Sequence, residues 1–486
     1  MSVEDRVLGL GAGVWLGQAP ALLRAAEAIG GIDFIELYAD EPSELLEARR
    51  AIPKEVAIVL HSASLSLPGA DAIPEELIAS TREVADSLHA LWVIEDLGVW
   101  RLDGQRPVGS PFWPPYLDEA TAALVASRVG PLAGRLGRPF LCELPPLDVV
   151  VGPCTPAAFM SEVVRRSGCG WVLDVSHWLR DCQAAGLDPD DLDGLPLDNV
   201  VELHISGGKR RPGARWYDEE HSAHLLPECL DLLERILARC PAARAVTVES
   251  HGAPDDVLAH ALAAVAERPS VRALRARAAA LPIGAVTAGN AATLERAPSA
   301  IADRQRLIRR LLEHPGLLEQ VEQHAPDMDT ACEVRRVPPA LWREAQVRRL
   351  RQLPGLTRIA RFVCEQIWTD LGTIFVDLLA SRPDEAPAPA AEDILDYLLT
   401  RQDVPDWACD ALRFDRDVLR VAEGVPPKSA YVKKGRHTWV VQYPRSVVST
   451  LNAIATGGPI PDPIPTEVCL RTRNRQLDVQ ERTMSR

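Results

Sequence analysis

Imidazoles and carboxylates recur at matching places in the first half of this chain, each where an apolar run gives way to small or polar residues. His61 closes "AIVLH", Glu95 and Asp96 close "LWVIED", and Glu143 closes "PFLCE". Asp174 and His177 follow "GWVL", His204 lies in "NVVELHIS", and Glu249 closes "AVTVE". Acids and imidazoles gathered in a partly dry cavity would repel one another or stay unpaired. A bound cation removes that conflict, and mixed His/Asp/Glu donors suit Zn²⁺, Mn²⁺ or Fe²⁺. Most of these positions lack cysteine, which disfavours a thiolate-rich structural zinc. Glu219 and His221 in "WYDEEHSAH" could reach over from the loop that follows His204, while the spacing of His224 fits a helix surface equally well. Glu36 and His251, at other run ends, read as loop-capping or solvent-facing residues, and Cys142, Cys154 and Cys169 as core thiols.

Something must carry these residues to one place. Up to about residue 285, eight apolar runs alternate with Ala/Leu-rich helical stretches: "VLGLGAGVW", "IDFIELYA", "AIVLHSASL", "LWVIEDLGV", "PFLCELPP", "GWVLDVSH", "NVVELHIS" and "AVTVESHG". Intervening segments such as "LPECLDLLERILARC" have helical spacing. This alternation predicts a single (β/α)8 barrel over 1–285, with a doubly wound open sheet as the alternative. In a barrel the strand ends converge on one rim, where the chemistry of such enzymes sits. "GLGAG" lies within the first strand, so it is weak as a dinucleotide motif.

The small, polar stretch 286–302 reads as a linker. Residues 303–486 read as a separate module, helical to about 423, then α+β with strands in "SAYVKKG", "HTWVVQYP" and "TEVCLRTR". The chain's 486 residues exceed one ordinary domain, and 47% are apolar. A net charge of −15 argues against a nucleic-acid partner. No run is long enough for a bilayer; "FVCEQIWTDLGTIFVDLLA" is broken by Glu365, Asp370 and Asp377. Ten cysteines without a CxxC pair and a charged N-terminal stretch predict a cytoplasmic protein with reduced thiols.

The motifs "LHSASLSLPGAD" (60–71), "LCELPP" (141–146), "RRSGCGWVLDVSH" (165–177), "LPLDNVVELHISG" (195–207) and "TVESHGAP" (247–254) occur together and in order. In them the chain resembles the multinuclear non-heme iron-dependent oxidases that modify ribosomally made peptides, including methanobactin precursors. The resemblance covers most of residues 5–270. It implies a xylose-isomerase-type TIM barrel with two or three irons of mixed valence that react with O₂. Carried over by position, Glu143, Asp174, His204 and Glu249 would hold one iron, and His61 a second bridged by Glu143. His177, Glu219 and His221 stand where a third finds ligands. The chain departs from the family pattern in Glu95-Asp96 for the usual Asp-His, in Gly208 for a second histidine, and in His177 for the common Asn. Asp96 can replace the missing histidine as a harder ligand or act as an acceptor that orients His61.

The implied reaction oxidises a residue, most plausibly a cysteine, of a precursor peptide, with Glu143, Asp174 and His204 at its heart. "LTRQDVPDWACDALRFDRDVLRVAEG" and "YPRSVVSTLNAIATGGPIPD" are similar to the closing portions of the partner proteins that recognise such precursors. The second half is thus expected to bind the leader peptide at a sheet edge, with Arg471 and Arg473 on one face of the last strand; the bland alternative is bracing or homodimer formation. Two rivals stand beside the oxidase: a Zn²⁺- or Mn²⁺-dependent sugar isomerase or phosphodiesterase, and a non-catalytic peptide-binding barrel.

Overall fold

The computed structural model describes residues 7–15, 19, 22–24, 31–38, 52–53, 56–107, 112–210, 217–250, 255–278, 294, 296–351, 378, 391–422, 425–429, 431–435, 438–444, 446, 449–450, 465–473 and 476–483. They form two compact units, 1–107 with 111–310 and 320–342, and 108–110 with 311–319 and 343–486.

In the first unit the eight expected runs are strands. They are β1 (Gly9–Trp15), β2 (Phe34–Tyr38), β3 (Ala57–Ser62), β4 (Val93–Asp96), β5 (Phe140–Glu143), β6 (Gly170–Asp174), β7 (Val200–Arg210) and, after an added β8 (Tyr217–Ser222), β9 (Ala245–Glu249). All neighbours but β8 pair in parallel, and β9 pairs with both β7 and β1, which closes an eight-stranded barrel. The open-sheet alternative is thereby excluded. The strands are buried on both faces, so they read as nearly continuous apolar runs. One face packs outward on the helices through Leu10, Ile35, Leu60, Val93, Cys142, Leu173, Leu203 and Val246. The other fills the barrel floor with Leu8, Phe34, Val59, Trp92, Ile94, Leu141, Val172 and Ala245. Alternation then sends Glu36, His61, Glu143 and Asp174 inward, each two residues beyond a floor residue.

The glycines of β1 have a steric reason. A Cβ on Gly11 would lie 2.6 Å from the Phe34 ring, and one on Gly13 3.2 Å from Tyr38 and 3.3 Å from Thr247. The first strand therefore lends interior space to the aromatic rings of its neighbour rather than cradling a phosphate.

Where a loop was expected after β7, the strand runs on to Arg210 and pairs antiparallel with β8, with an irregular register at Gly207/Gly208. A Cβ on Gly207 would stand 2.4 Å from the Ser222 carbonyl oxygen, so a side chain there would part the hairpin.

The helices that cover the barrel show ordinary signals. Pro227–Leu237 buries Cys229, Leu232, Leu233, Ile236 and Leu237 along one stripe. Glu119–Leu136 starts on Asp118, whose side chain accepts the Thr121 N–H at 2.7 Å, and stops at Gly137 with φ +68°.

The helix Ser299–Glu313 starts inside the expected linker, and most of it belongs to the barrel unit. Buried Gln305 accepts the Ala70 N–H at 2.9 Å, and Arg306 clasps Asp103 at 2.7 and 2.9 Å. Arg128, also buried, donates to the carbonyls of Leu67 and Gly69 at 2.8 and 2.7 Å. Gln305 and Arg128 together hold the "LPGAD" loop that follows β3. Most of 279–295 lies outside the described residues, as do 352–377 with most of the apolar stretch 362–380.

In the second unit β10 (Tyr431–Gly435), β11 (Thr438–Tyr443), β12 (Thr466–Arg473) and β13 (Gln476–Thr483) form an antiparallel sheet in that order. Trp439, Val441, Tyr443, Val468 and Leu470 build its core with Phe414 and Val421 of the helix Asp406–Ala422. The sequence reading missed β13 because Asp478, Gln480 and Arg482 dilute its apolar alternation. The strand "TEVCLRTR" is consequently flanked on both sides and is no sheet edge. The side chains of Arg471 and Arg473 lie outside the described ones. Among the described residues no helix is long and apolar enough to cross a membrane.

Candidate metal centre

Strand register stacks the inward polar residues into one layer. Tyr38 pairs with His61, Asp96 with Glu143, Asp174 with His204, and Ser206 with Glu249. Glu143 is the hub. Its Oε2 is 3.1 Å from His204 Nδ1 and 3.8 Å from His61 Nε2, and its Oε1 is 3.1 Å from His177 Nδ1. His204 Nδ1 is also 3.1 Å from Glu249 Oε1, and His221 Nε2 is 3.1 Å from Glu249 Oε2. Asp96 Oδ2 lies 3.5 Å from His61 Nε2.

Four overlapping donor groups result, each with ligand atoms mutually within 4.8 Å: Glu36/His61/His204/Glu249, His61/Asp96/Glu143, Glu143/Asp174/His204 and His177/His221/Glu249. The structure thus brings together His61, Asp96, Glu143, Asp174, His177, His204, His221 and Glu249. The side chain of Glu219 and all of His251 lie outside the described residues. His224 is exposed and enters none of these groups.

Local structure aims several of these groups. Asp174 ends β6 and caps the helix Val175–Ala185, its Oδ1 accepting from the backbone N–H of Ser176 and His177 at 2.5 and 2.7 Å. Its Oδ2 is left for the cavity. Ser176 Oγ donates to the Ser206 carbonyl at 2.8 Å, which pins that helix to β7. His221 reaches Glu249 from a backbone with φ +44°, a sparsely populated region for a non-glycine residue. Cys142 and Cys169 are buried thiols and Cys154 is half-buried, as expected for packing residues.

Two expectations need correction. Glu36, read as a loop cap, is fully buried with Oε1 2.8 Å from His61 Nδ1 and Oε2 3.0 Å from His204 Nε2. Glu95 belongs elsewhere. It points away from Asp96 and accepts the N–H groups of Leu65 and Ser66 at 2.8 and 3.1 Å. Burial pushes its carboxyl up to about 8 even so.

The sequence reading also passed over Tyr38 and Glu202. Tyr38 donates its hydroxyl to Glu249 and stacks on His61 with centroids 4.7 Å apart. Glu202 lies beneath His204 and accepts from Trp92 Nε1 at 2.8 Å and Thr247 Oγ1 at 2.6 Å. Each stands two residues from a polar inward residue on its own strand, so strict alternation from Glu36 and His204 would have found both.

The electrostatics are those of acids and imidazoles packed closely in a buried layer. Burial opposes the charge on Glu36, but His204 and His61 outweigh it and bring the carboxyl down to about 2. Burial pushes Asp174 up to about 6, with Glu249 and Glu143 adding to it against His177 and His204. Several buried donors satisfy no hydrogen-bond geometry: both oxygens of Glu143, both nitrogens of His204, His61 Nε2, Asp174 Oδ2 and Glu249 Oε2. Leaving so many polar atoms orphaned is costly. Lone pairs that converge without hydrogen bonds fit a divalent ion, and oxygen/nitrogen donors without sulfur fit iron, zinc or manganese.

Among curated proteins, a UPF0276 protein of Rhizorhabdus wittichii is 28% identical over 218 residues, covering 43% of this chain and 76% of that protein. One from Bordetella pertussis is 30% identical over 217 residues, 43% of this chain and 74% of that protein. One from Streptomyces avermitilis is 31% identical over 261 residues, with 48% of this chain matching only 50% of that longer protein. Among solved structures, a xylose isomerase domain containing protein from Salmonella typhimurium is 14% identical with a TM-score of 0.37, covering 55% of this chain and 97% of that one. Residues 10–268, more than half of the chain, match the model of the RiPP precursor modification enzymes MbnB/TglH/ChrH, and the chain belongs to that family.

Proposed function

We propose that this chain is a multinuclear non-heme iron oxidase that uses O₂ to modify a cysteine in a ribosomally synthesised precursor peptide. The observation that carries the reading is the sharing of Glu143 between two donor groups, with a third group at His177, His221 and Glu249. Shared carboxylates suit two or three neighbouring ions. Iron, when bound, would supply redox chemistry with O₂ and a site where a substrate thiolate can bind.

His61, Asp96, Glu143, Asp174, His177, His204, His221 and Glu249 would hold the ions, with Glu219 as a further ligand from β8. The apolar barrel floor keeps water from reaching the centre from below. Access is from the rim, where the side chains of Asp96 and His221 are 16% and 24% exposed while those of Glu143 and His204 are closed off.

In the same reading residues 303–486 recognise the leader of the precursor. Among the described residues β10 and β13 are the outer strands of the second sheet, and an extended peptide could add to either as a strand. The reading places the enzyme in the cytoplasm, where its thiols stay reduced.

The test is metal analysis of protein purified without oxygen from iron-supplemented cells, followed by O₂ uptake with the peptide encoded beside the gene. Two or three irons per chain and peptide-dependent uptake are expected. Zinc or manganese alone would favour the isomerase or phosphodiesterase reading, and no stoichiometric metal a binding module.

A further inference from the structure

Glu36 holds a place that none of the expected ligand roles explains. It is fully buried, and its two oxygens face two different imidazoles, Oε1 at 2.8 Å from His61 Nδ1 and Oε2 at 3.0 Å from His204 Nε2. Each ring turns its other nitrogen elsewhere. His61 Nε2 is 3.5 Å from Asp96 and 3.8 Å from Glu143, and His204 Nδ1 is 3.1 Å from both Glu143 and Glu249.

A ring that ligates through one nitrogen carries its proton on the other, and the partner of that N–H sets the ring's tautomer and orientation. We propose that Glu36 is a positioning residue: its Oε1 takes the N–H of His61 (Nδ1) and its Oε2 faces His204 Nε2 as an ion-pair partner, so that His61 Nε2 and His204 Nδ1 are the ligating atoms. This rests on the metal-centre reading above.

Access supports it. The side of His204 that carries Nδ1 adjoins Glu143, which in turn adjoins the partly exposed Asp96 and the His177/His221 group at the rim. Among the described residues the Nε2 side adjoins fully buried carboxylates, Glu36 and Glu202, the latter 3.6 Å away. An ion bound there would be shut off from any peptide. The rival is that Glu36 is itself a ligand in the Glu36/His61/His204/Glu249 group.

The experiment loads the full chain with Zn²⁺ and locates the ions by anomalous diffraction. Zinc bonded to His61 Nε2 and His204 Nδ1, with none bonded to Glu36, is the expected result. Zinc on Glu36 or on His204 Nε2 overturns the inference and leaves the metal centre standing. No ordered zinc at any of these residues overturns the metal-centre reading and the inference with it.

Glu36→Gln gives a second measurement. Its amide offers an acceptor to one ring only, so Zn²⁺ affinity at both positions should fall about 10–100-fold, the usual cost of losing an outer partner. The number of ions bound at saturation should stay the same. Loss of one ion outright, with the remaining sites at wild-type affinity, would make Glu36 a ligand.

Discussion

Filling both positions of the centre with divalent ions should expel close to two protons at pH 7. Burial alone would push the His61 and His204 imidazoles down, yet the carboxylates around them hold both well above the ordinary 6.5. Both rings are therefore biased toward the protonated form in the metal-free chain. A ring must be neutral at its ligating nitrogen, so binding displaces about one proton from each. The sign follows: protons compete below the raised pKa, so metal affinity is lost as pH falls. Because the two rings serve two positions, one proton each corresponds to about 10-fold in each affinity between pH 7 and pH 6, or about 1.4 kcal/mol. Asp174, pushed up to about 6, adds to the dependence toward and below that pH. Zn²⁺ calorimetry in two buffers of different ionisation enthalpy counts the protons directly. Release of less than one proton at pH 7, or an affinity that is flat from pH 6 to 7, would refute the reasoning.

Tyr38→Phe keeps the stack on His61 but removes the hydroxyl donor to Glu249. It should cost the metal-free barrel about 1.5–3 kcal/mol in urea unfolding, the range for a hydrogen bond to a charged group. Asp181 is buried, accepts the Leu147 N–H at 2.8 Å, and is pushed up to about 8 by burial. Its folded value exceeds the unfolded one, so the folded chain holds an extra proton between about pH 4 and 8 and loses stability as pH rises through that window. Asp181→Asn should remove this term, and its melting temperature relative to wild type should rise from pH 5.5 to pH 8; parallel curves would contradict the assignment. Trp15 is 42% exposed at the rim end of β1 with its ring 5.5 Å from Tyr38, where under the proposed function a peptide would arrive. Trp15→Ala should raise KM for the precursor with metal content unchanged, which steady-state kinetics and metal analysis check together.

The barrel was legible because its strands are apolar on both faces and are separated by helices of clear period, as in "LPECLDLLERILARC". The rim was legible because six apolar runs, those of β3 to β7 and β9, carry at or near their ends an acid or imidazole whose burial is hard to justify without a partner. What escaped has specific physical causes. Glu36 was set aside as a single acid in an apolar run, and only the register that lays β2 beside β3 brings it to His61. Glu95 and Asp96 are adjacent in sequence but project to opposite faces of β4, so one caps a loop and the other joins the centre. The hairpin arm β8 and the edge strand β13 are too polar to be told from loops by composition, since backbone pairing rather than apolar burial defines them.

The Asp96 substitution changes the charge of the rim more than its reach. At that position a neutral imidazole would leave the His61/Asp96/Glu143 group with one carboxylate, whereas Asp96 supplies a second. Like charges so close need a cation or a shared proton between them. In the metal-free chain the cost is visible on Asp96 itself, which burial and then Glu143 push above the ordinary carboxylate range. A harder, more anionic donor set holds a higher-valent ion better than a softer one. Asp96 also sits on the open side of the centre, with its side chain 16% exposed. The position held by His61, Asp96 and Glu143 is thus anionic and within reach of solvent, and its ion should be harder to reduce than it would be with a histidine in place of Asp96. Asp96→His, which restores the residue the resemblance leads one to expect, should make reduction of the iron-loaded chain easier and shift its redox titration to higher potential. An unchanged titration would mean that Asp96 stays outside the coordination shell and only orients His61.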